Sequence, residues 1–467
     1  MAVSSVHEET EIRRLSIDTI RGLSMDAVQK ADAGHPGTAM ALAPLAYTLF
    51  QRFLRVNPAD TAWPDRDRFV LSSGHACVLQ YSLAHLCGYD LGLEDLQQFR
   101  QWGSRTPGHP ERGHTPGIEI TTGPLGQGFA NAVGMAVAER FLGDRFNRPG
   151  RTVVDHHVYV ICSDGDMMEG ISQEAASIAG HFRLGKLVVC YDDNHITIDG
   201  STSISFDGEN HSARLEADGW HVQRVEDAED LDALEAAIAA ARDEPERPSF
   251  ISIRSHIAYP APNAVDTAKA HGAPLGEEEV RATKQVMGFD PERSFWVDER
   301  VYEHMSLLAR GAEALAIARR VGMHVGYVRV AFEPADVAAI PATNPMFAQA
   351  APAMSASAPH TQVHDRVAPR AGEIVVRKTR VGAFSTTDLD AQLRARGVTT
   401  LVLAGISTSG VVLSTVRDAF DRDYRVVVLA DGCADPDEEV HRVLVTKVFP
   451  RQARVMEIAE LAGATGG

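Results

Sequence analysis

The sequence has few cysteines and lacks any long hydrophobic run. Its five cysteines are odd in number and widely spaced, and no two stand as Cys-x-x-Cys. Neither a disulfide framework nor a zinc site is therefore predicted. No 18 consecutive residues are apolar, which argues against a bilayer-spanning helix, and the N-terminal segment lacks the basic and apolar regions of a signal peptide. We expect a cytoplasmic protein that has no membrane partner.

An excess of basic residues is also lacking. The chain has 63 acidic and 45 basic side chains, which gives a net charge of −18. Nucleic acids and anionic membranes need clustered Lys and Arg, so neither is an expected partner. The apolar fraction of 44% and the charged fraction of 23% are those of a globular protein. A length of 467 residues suggests two to four domains.

The first part of the chain alternates apolar, β-branched runs with segments of helical period. Strands are predicted at 68–71, 156–162, 186–191 and 249–253, with helices at 39–54, 169–182 and 230–242. A strand–helix–strand unit implies parallel strands, with ligands bound where the strands end. This part is predicted to be a doubly wound α/β domain.

A second α/β pattern starts after about residue 305. Helices are predicted at 307–321, 388–396 and 410–421, and strands at 324–331, 373–377, 400–404 and 425–430. The Ala-, Pro- and Ser-rich stretch 340–359 is expected to be mobile. We therefore predict two doubly wound parallel-sheet domains, 1–303 and 304–467.

The most informative segment follows the strand at 156–162. Asp164 stands where that strand gives way to a helix, a position at which free backbone N–H groups favour a diphosphate. A diphosphate needs a hard cation with oxygen ligands, which Asp164, Asn194 and the Ile196 carbonyl could supply. The 30 residues between Asp164 and Asn194 fit one strand–helix–strand crossover. Taken alone, however, Asp164 could simply cap a helix and Asn194 could lie in a turn.

The surrounding motifs resemble the transketolase family. They are Gly34-His-Pro-Gly37, Ser73-Gly-His75, Thr106-Pro-Gly-His109-Pro, Thr122-Gly-Pro-Leu-Gly-Gln-Gly128, Asp164-Gly with Asn194, and His271-Gly-Ala-Pro-Leu-Gly. The resemblance runs from about 12 to 303 and implies a fold that binds thiamine diphosphate with Mg²⁺ or Ca²⁺. Ser163 stands where the family usually has glycine.

The resemblance also implies roles for particular residues. The metal would be held by Asp164, Asn194 and Ile196, and Asn194 would also belong to the cofactor site. The remaining predicted roles are diphosphate binding by His75, His271 and Gly165, aminopyrimidine contacts by Gly123 and Leu125, proton transfer at the substrate by His35, His109 and His271, and a relay between paired active sites by Glu169.

Family transketolases continue with a second domain that carries the glutamate which activates the cofactor. No segment downstream of about residue 303 resembles that domain. The resemblance therefore implies a transketolase component that acts on sugar phosphates, forms homo-oligomers, and needs a separate pyrimidine-binding subunit.

Residues from about 306 to 462 resemble the isochorismatase-like cysteine hydrolases instead. Lys378 falls at the family's catalytic lysine, whereas Val411 stands at the position of the nucleophilic cysteine. The family's first strand, which carries an aspartate, is not visible, and Asp298 is a poor substitute for it. Cys433 is expected to pack as a small apolar residue. This domain is predicted to be incomplete and inactive.

Three functions are compatible with these features. The first is a transketolase or transketolase component that transfers a two-carbon ketol unit. The second is a non-catalytic binding or regulatory protein that retains the cofactor pocket. The third is a cysteine hydrolase, which the valine at position 411 disfavours.

Overall fold

A computed structural model describes residues 2–58, 60–148, 153–206, 208–306, 309–358, 361–363, 367–435, 437–458 and 460–461. The chain divides into two compact units, Met1–Leu307 and Leu308–Gly467. Both are α/β folds with parallel sheets, as the sequence predicts. None of the described helices is both long and apolar enough to cross a membrane.

The first unit alternates strands and helices. Its helices are α1 (Ala2–Ala31), α2 (Pro36–Ala41), α3 (Ala43–Thr48), α4 (Cys77–Cys87), α5 (Leu93–Gln97), α6 (Gln127–Phe146), α7 (Asp164–Met168), α8 (Gly170–Phe182), α9 (Ser203–Phe206), α10 (His211–Ala217), α11 (Leu231–Arg242), α12 (Lys269–Gly272), α13 (Glu277–Val286) and α14 (Glu299–Met305). Its strands are β1 (Arg68–Leu71), β2 (Val158–Ser163), β3 (Leu187–Asp193), β4 (Ile196–Thr197), β5 (Gly200–Ser201), β6 (His221–Val225) and β7 (Ser249–Arg254).

Five of these strands form one parallel sheet in the order β1-β2-β3-β7-β6. Every residue of β2 is buried, because helices cover both faces of the sheet. Tyr159 and Ile161 belong to the hydrophobic core on one face, whereas Val160 and Cys162 belong to the core on the other. This arrangement explains why the central strands are continuous apolar runs in the sequence.

The four strands predicted in this unit are present, with ends shifted by a few residues. Strand β6 was not predicted, because its polar residues His221, Gln223 and Arg224 suit an edge strand. The predicted helix at 39–54 is divided into α2, α3 and a π-helical turn, Leu49–Phe53. Pro44 lies in the first turn of α3, where proline is tolerated and where a new helix commonly begins.

A buried ion pair joins the first helix of the unit to α13. Lys284 Nζ lies 2.7 Å from Asp26 Oδ1, and both side chains are almost fully buried. The other oxygen of Asp26 accepts a hydrogen bond from the backbone N–H of Phe295 at 2.7 Å. Lys284 also donates to the Arg293 carbonyl at 2.9 Å. The pair thereby holds α1, α13 and the segment before α14 together.

The second unit contains shorter elements. Its helices are α15 (Ala309–Arg320), α16 (Pro334–Ala338), α17 (Pro345–Ala350), α18 (Leu389–Ala395), α19 (Leu413–Asp421) and α20 (Glu438–Val443), and its strands are β8 (Gly326–Val330), β9 (Ile374–Lys378), β10 (Thr400–Ile406), β11 (Arg425–Ala434) and β12 (Arg454–Met456).

The parallel strands of the second unit form two separate sheets, β8-β9 and β10-β11-β12. No strand pairing joins the two sheets within the described part of the chain. Ile374 of β9 nevertheless shares a hydrophobic core with Leu401 of β10 and Val428 of β11. Within the Ala-, Pro- and Ser-rich stretch 340–359, α17 and a 3₁₀ turn, Ala351–Ala353, occupy the centre and bury Phe347, whereas the mobility expected of this stretch stays a prediction.

Replacement of Lys284 by methionine is expected to destabilise the first unit by about 3 kcal/mol, because the Asp26 carboxylate would remain buried without its partner. Urea unfolding followed by tryptophan fluorescence measures this loss. The control is Arg281→Met on the same helix, where the ion pair with Glu292 is exposed. That change should cost less than about 1 kcal/mol. Equal losses in the two variants would contradict the prediction.

Candidate functional site

The candidate site lies at the carboxyl edge of the central strands of the first unit. In the parallel register Ser163 of β2 pairs with Asp192 of β3. Asp164 and the turn at Asn194 therefore leave neighbouring strands at the same edge of the sheet. Parallel α/β sheets commonly bind ligands at this edge.

Asp164 begins α7 and is 5% exposed. Its Oδ1 accepts a hydrogen bond from the Tyr191 hydroxyl at 2.5 Å, and its Oδ2 accepts one from the His195 N–H at 3.2 Å. Burial raises the pKa of Asp164 to about 7, although the bond from Tyr191 opposes this rise. A carboxylate held in such a buried position is suited to a cation, whose charge would offset the cost of desolvation.

Asn194 and Ile196 lie on the turn that contacts Asp164. The Asn194 side chain is 3% exposed; its Nδ2 donates to Asp192 Oδ2 at 2.7 Å, and its Oδ1 accepts the Ile196 N–H at 2.8 Å. The His195 N–H between them reaches Asp164. The structure therefore brings the three predicted metal ligands to one place. In the described ranges, no group of three His, Cys, Asp or Glu side chains is arranged to hold a metal.

Three of the predicted histidines form a cluster. Ring centroids are 5.1 Å apart for His35 and His75, 4.9 Å for His75 and His271, and 5.7 Å for His35 and His271. His35 Nδ1, His75 Nε2 and His271 Nδ1 are buried, and no described group forms a hydrogen bond with these atoms. Since buried polar atoms are normally paired, three such nitrogens in one cluster indicate a place for a polar ligand.

The clustered imidazoles are uncharged near neutral pH. Burial lowers the pKa of His35 to about 4, and repulsion from His271, Arg100 and His109 adds to the effect. The pKa of His75 is well below its usual value for the same main reason, with further contributions from His271 and His35. Burial also lowers the pKa of His271. Neutral imidazole can both donate and accept hydrogen bonds.

A glycine-containing loop, 122–126, lies beside these groups. A Cβ atom on Gly123 would be 3.4 Å from Cδ2 of His109, and one on Gly74 would be 2.9 Å from the Gly123 nitrogen. A Cβ atom on Gly165 would be 2.9 Å from Leu125 Cδ1. The loop thus contacts His109, the turn that carries His75, and the start of α7, so the predicted aminopyrimidine contacts adjoin the predicted diphosphate site.

Glu169 borders the loop 122–126. It separates α7 from α8 and is exposed. Its carboxylate forms no hydrogen bond or ion pair within the described residues. A Cβ atom added to Gly126 would lie 2.9 Å from the Cβ atom of Glu169, so Glu169 is next to the end of the loop.

The sequence interpretation missed two residues of this region, Tyr191 and Asp166. Tyr191 lies in the interior of β3, where its apolar neighbours conceal a hydroxyl aimed at Asp164. Asp166 is fully buried and forms a capping box with Ser163. The spacing Ser163-x-x-Asp166 before a helix is a recognisable capping signal and could have identified it.

In the second unit, the positions that correspond to catalytic residues of the hydrolase family are Lys378 and Val411. Lys378 is 5% exposed; its Nζ donates to the Val381 carbonyl, and burial lowers its pKa to about 8. Val411 lies in a π-helical turn whose first amides are capped by side chains, Ser409 N–H by Asp435 and Gly410 N–H by Ser407.

Cys433 lies on β11 and is 8% exposed. Burial raises the pKa of its thiol to about 11. Because a nucleophilic cysteine needs a lowered pKa and access to solvent, this thiol is unsuited to catalysis.

Comparison with known proteins identifies the family. The model described as "Transketolase, thiamine diphosphate binding domain" matches residues 12–320, which is more than half of the chain. The chain belongs to the transketolase family. A second model, described as "Isochorismatase domain", matches residues 290–460 and confirms the second resemblance. The two matches overlap at 290–320, where α14 buries Val301 and Met305 in the core of the first unit.

Individual transketolases match over the same part of the chain. The transketolase of Mycobacterium leprae is 56% identical over 309 residues, covering 65% of this chain and 44% of that protein. A structure of transketolase from Leishmania mexicana aligns with a TM-score of 0.61 and 48% identity, covering 63% of this chain and 44% of that one.

A second similar structure is a Pichia stipitis transketolase in complex with sedoheptulose 7-phosphate. It has a TM-score of 0.62 and 44% identity, and the alignment covers 66% of this chain and 45% of that one. The present chain therefore spans less than half the length of these transketolases.

The low pKa of His35 predicts a pH-dependent stability. As pH falls from about 6.5 towards 4, the unfolded chain binds a proton at His35 that the folded chain does not, so the folded state loses stability. His35→Gln removes this contribution, and its melting temperature should fall less steeply over that range. The control is His181→Gln, which changes an exposed histidine. The prediction fails if the wild-type and His35→Gln profiles are parallel.

Proposed function

We propose that this chain binds thiamine diphosphate with a divalent cation and acts as a component of a transketolase. It would transfer a two-carbon ketol unit between sugar phosphates. The observation that carries the proposal is the clustering of His35, His75 and His271, with unpaired buried nitrogens, in a chain whose fold also presents a buried carboxylate at the strand edge. The Pichia stipitis structure with sedoheptulose 7-phosphate supports sugar phosphates as the substrate class.

The residues present are suited to the cofactor. Asp164, Asn194 and the Ile196 carbonyl would hold Mg²⁺ or Ca²⁺, because all three offer oxygen ligands. The unpaired nitrogens of His75 and His271 would contact the diphosphate. Gly165 would offer its N–H to a phosphate oxygen at the start of α7.

The loop 122–126 would receive the aminopyrimidine ring. Gly123 and Leu125 would contact the ring through backbone atoms, since the absence of a side chain at Gly123 allows close approach. When bound, thiamine diphosphate supplies the electron sink for cleavage of a carbon–carbon bond beside a carbonyl.

The histidines would move protons of the sugar. His35 and His109, with His271 beside them, would line the substrate channel, and neutral imidazole can accept a hydroxyl proton as the bond breaks and return it as the new bond forms. The lowered pKa values of His35 and His109 keep the basic nitrogen available at neutral pH. Burial thus keeps both imidazoles in the unprotonated form, which can accept a proton.

We infer that another polypeptide supplies the pyrimidine side of the active site. Residues 290–460 match the isochorismatase domain and not the domain with which transketolases continue. The glutamate that activates the cofactor in transketolases is therefore assigned to a partner subunit.

The decisive experiment measures cofactor binding and ketol transfer separately. Titration of the full chain with thiamine diphosphate and Mg²⁺ should show binding that EDTA abolishes. Asp164→Asn should weaken binding by at least about tenfold, because it removes a charged metal ligand. The control is Asp199→Asn, at an exposed carboxylate in the turn between β4 and β5, which should bind normally. Absence of wild-type binding would refute the proposal.

Ketol transfer from xylulose 5-phosphate to ribose 5-phosphate should be absent or slow with the chain alone. Addition of a pyrimidine-binding transketolase subunit should restore it. Normal turnover by the chain alone would place the activating carboxylate within this chain. Binding without turnover under any complementation would favour the non-catalytic binding protein instead.

A homo-oligomer is also proposed, because the outer faces of α6 and α8 carry exposed apolar side chains beside Glu169. These side chains are Val137, Phe141, Ile171, Ile178 and Phe182, and all are more than one-third exposed. A second copy of the chain covering this surface would place two Glu169 carboxylates near a shared interface. The proposed relay between paired active sites requires such an arrangement.

Charge introduced on this surface is expected to dissociate the oligomer. Ile178→Asp should shift the sedimentation of the full chain towards the monomer, because a desolvated carboxylate opposes association. The control is Ile198→Asp, the same substitution at an exposed isoleucine outside this surface. It should leave the assembly unchanged. A wild-type monomer at micromolar concentration would contradict the proposal.

A further inference from the structure

Asp166 is a buried carboxylate two residues after Asp164 that has no role in the mechanism above. It lies in the first turn of α7 and is fully buried. Oδ1 accepts hydrogen bonds from Ser72 Oγ at 2.6 Å and from the Gly126 N–H at 2.8 Å. Oδ2 accepts the Ser163 N–H at 2.9 Å. Neutral donors thus satisfy both oxygens.

These donors come from three separate parts of the proposed site. Ser72 follows β1 and precedes the turn that carries His75. Gly126 ends the loop 122–126, and Ser163 ends β2 directly before Asp164. One carboxylate therefore fixes the relative positions of the proposed diphosphate, aminopyrimidine and metal contacts.

Backbone segments near this carboxylate pack closely against each other, which limits how far they can move. A Cβ atom on Gly128 would lie 2.4 Å from the Ser72 Cα. Gly126 has φ of 76°, which places it in the left-handed region. Ser72 Oγ also accepts the Phe129 N–H at 2.9 Å, which extends the network into α6. The loop and the end of β1 therefore depend on the same set of hydrogen bonds.

We propose that Asp166 is a positioning residue that sets the distance between the ring-binding loop and the cation–diphosphate contacts. The assignment rests on the proposed function. An asparagine at this position would keep the shape but would turn an N–H donor towards the N–H of Gly126 or Ser163. At least one of the hydrogen bonds to Asp166 would be lost, and the loop would no longer be held against α7.

The ratio of the affinity for thiamine diphosphate to the affinity for inorganic diphosphate separates a positioning role from a general effect on stability. Inorganic diphosphate with Mg²⁺ reports on the cation–diphosphate contacts alone, whereas thiamine diphosphate also needs the loop. In the full chain, Asp166→Asn should lower the affinity for thiamine diphosphate about tenfold more than the affinity for inorganic diphosphate. A general loss of folded protein would lower both apparent affinities equally.

Asp67 provides the matched control at the opposite end of the same strands. It is also buried, and it accepts the backbone N–H groups of Arg55 and His157, each at 2.8 Å. Asp67→Asn should reduce thermal stability without changing the ratio of the two affinities.

A second variant covers the case in which Asp166→Asn does not fold. Ser72→Ala removes one donor and should lower the ratio about threefold. An unchanged ratio in whichever of the two site variants folds would overturn the assignment. Failure of the wild type to bind thiamine diphosphate, with inorganic diphosphate still bound, would instead refute the proposed function, and the positioning role with it.

Discussion

Parallel pairing of β2 with β3 is the constraint on which the candidate site depends. The pairing opposes Ser163 to Asp192, so that Asp164 and the Asn194 turn emerge side by side. A shift of the register by one residue would exchange the two faces of β2 and would move Asp164 away from the turn. The two cores bury side chains of different size on β2, Tyr159 and Ile161 on one face and Val160 and Cys162 on the other, so the shift would disrupt the packing of both. Core packing thereby fixes the geometry of polar groups at the edge of the sheet.

The site contains polar groups that the fold alone does not require. Nδ1 of His35, Nε2 of His75 and Nδ1 of His271 are buried without partners, and an unsatisfied buried polar group costs about 1 to 3 kcal/mol. By contrast, the Asp26–Lys284 pair and the Asp166 network are internally satisfied. The Asp26–Lys284 and Asp166 groups therefore maintain the structure, whereas the three histidine nitrogens, which lie together in one cluster, are available to a ligand.

Much of the first unit could be predicted from sequence, because buried parallel strands are continuous apolar runs and the site residues follow them. Edge strand β6 could not, since His221, Gln223 and Arg224 carry no apolar pattern. The position of Tyr191 beside Asp164 and the convergence of Ser72, Gly126 and Ser163 on Asp166 depend on tertiary contacts between distant segments. In the second unit, the pattern predicts the strands but not their division into two sheets, because the choice of neighbouring strand is not encoded in any one strand alone.

The uncharged state of the histidine cluster has a consequence for how strongly the divalent ion and the diphosphate depend on each other for binding. A diphosphate beside neutral imidazoles finds no cationic charge on His35 or His75, and the ionised form of Asp164 would repel it. The divalent ion would therefore have to balance both anions. Thermodynamic reciprocity then requires that the ion and the diphosphate strengthen each other's binding by the same factor. The pocket would behave as a coupled receptor for an ion–diphosphate complex, in which neither component is retained well without the other.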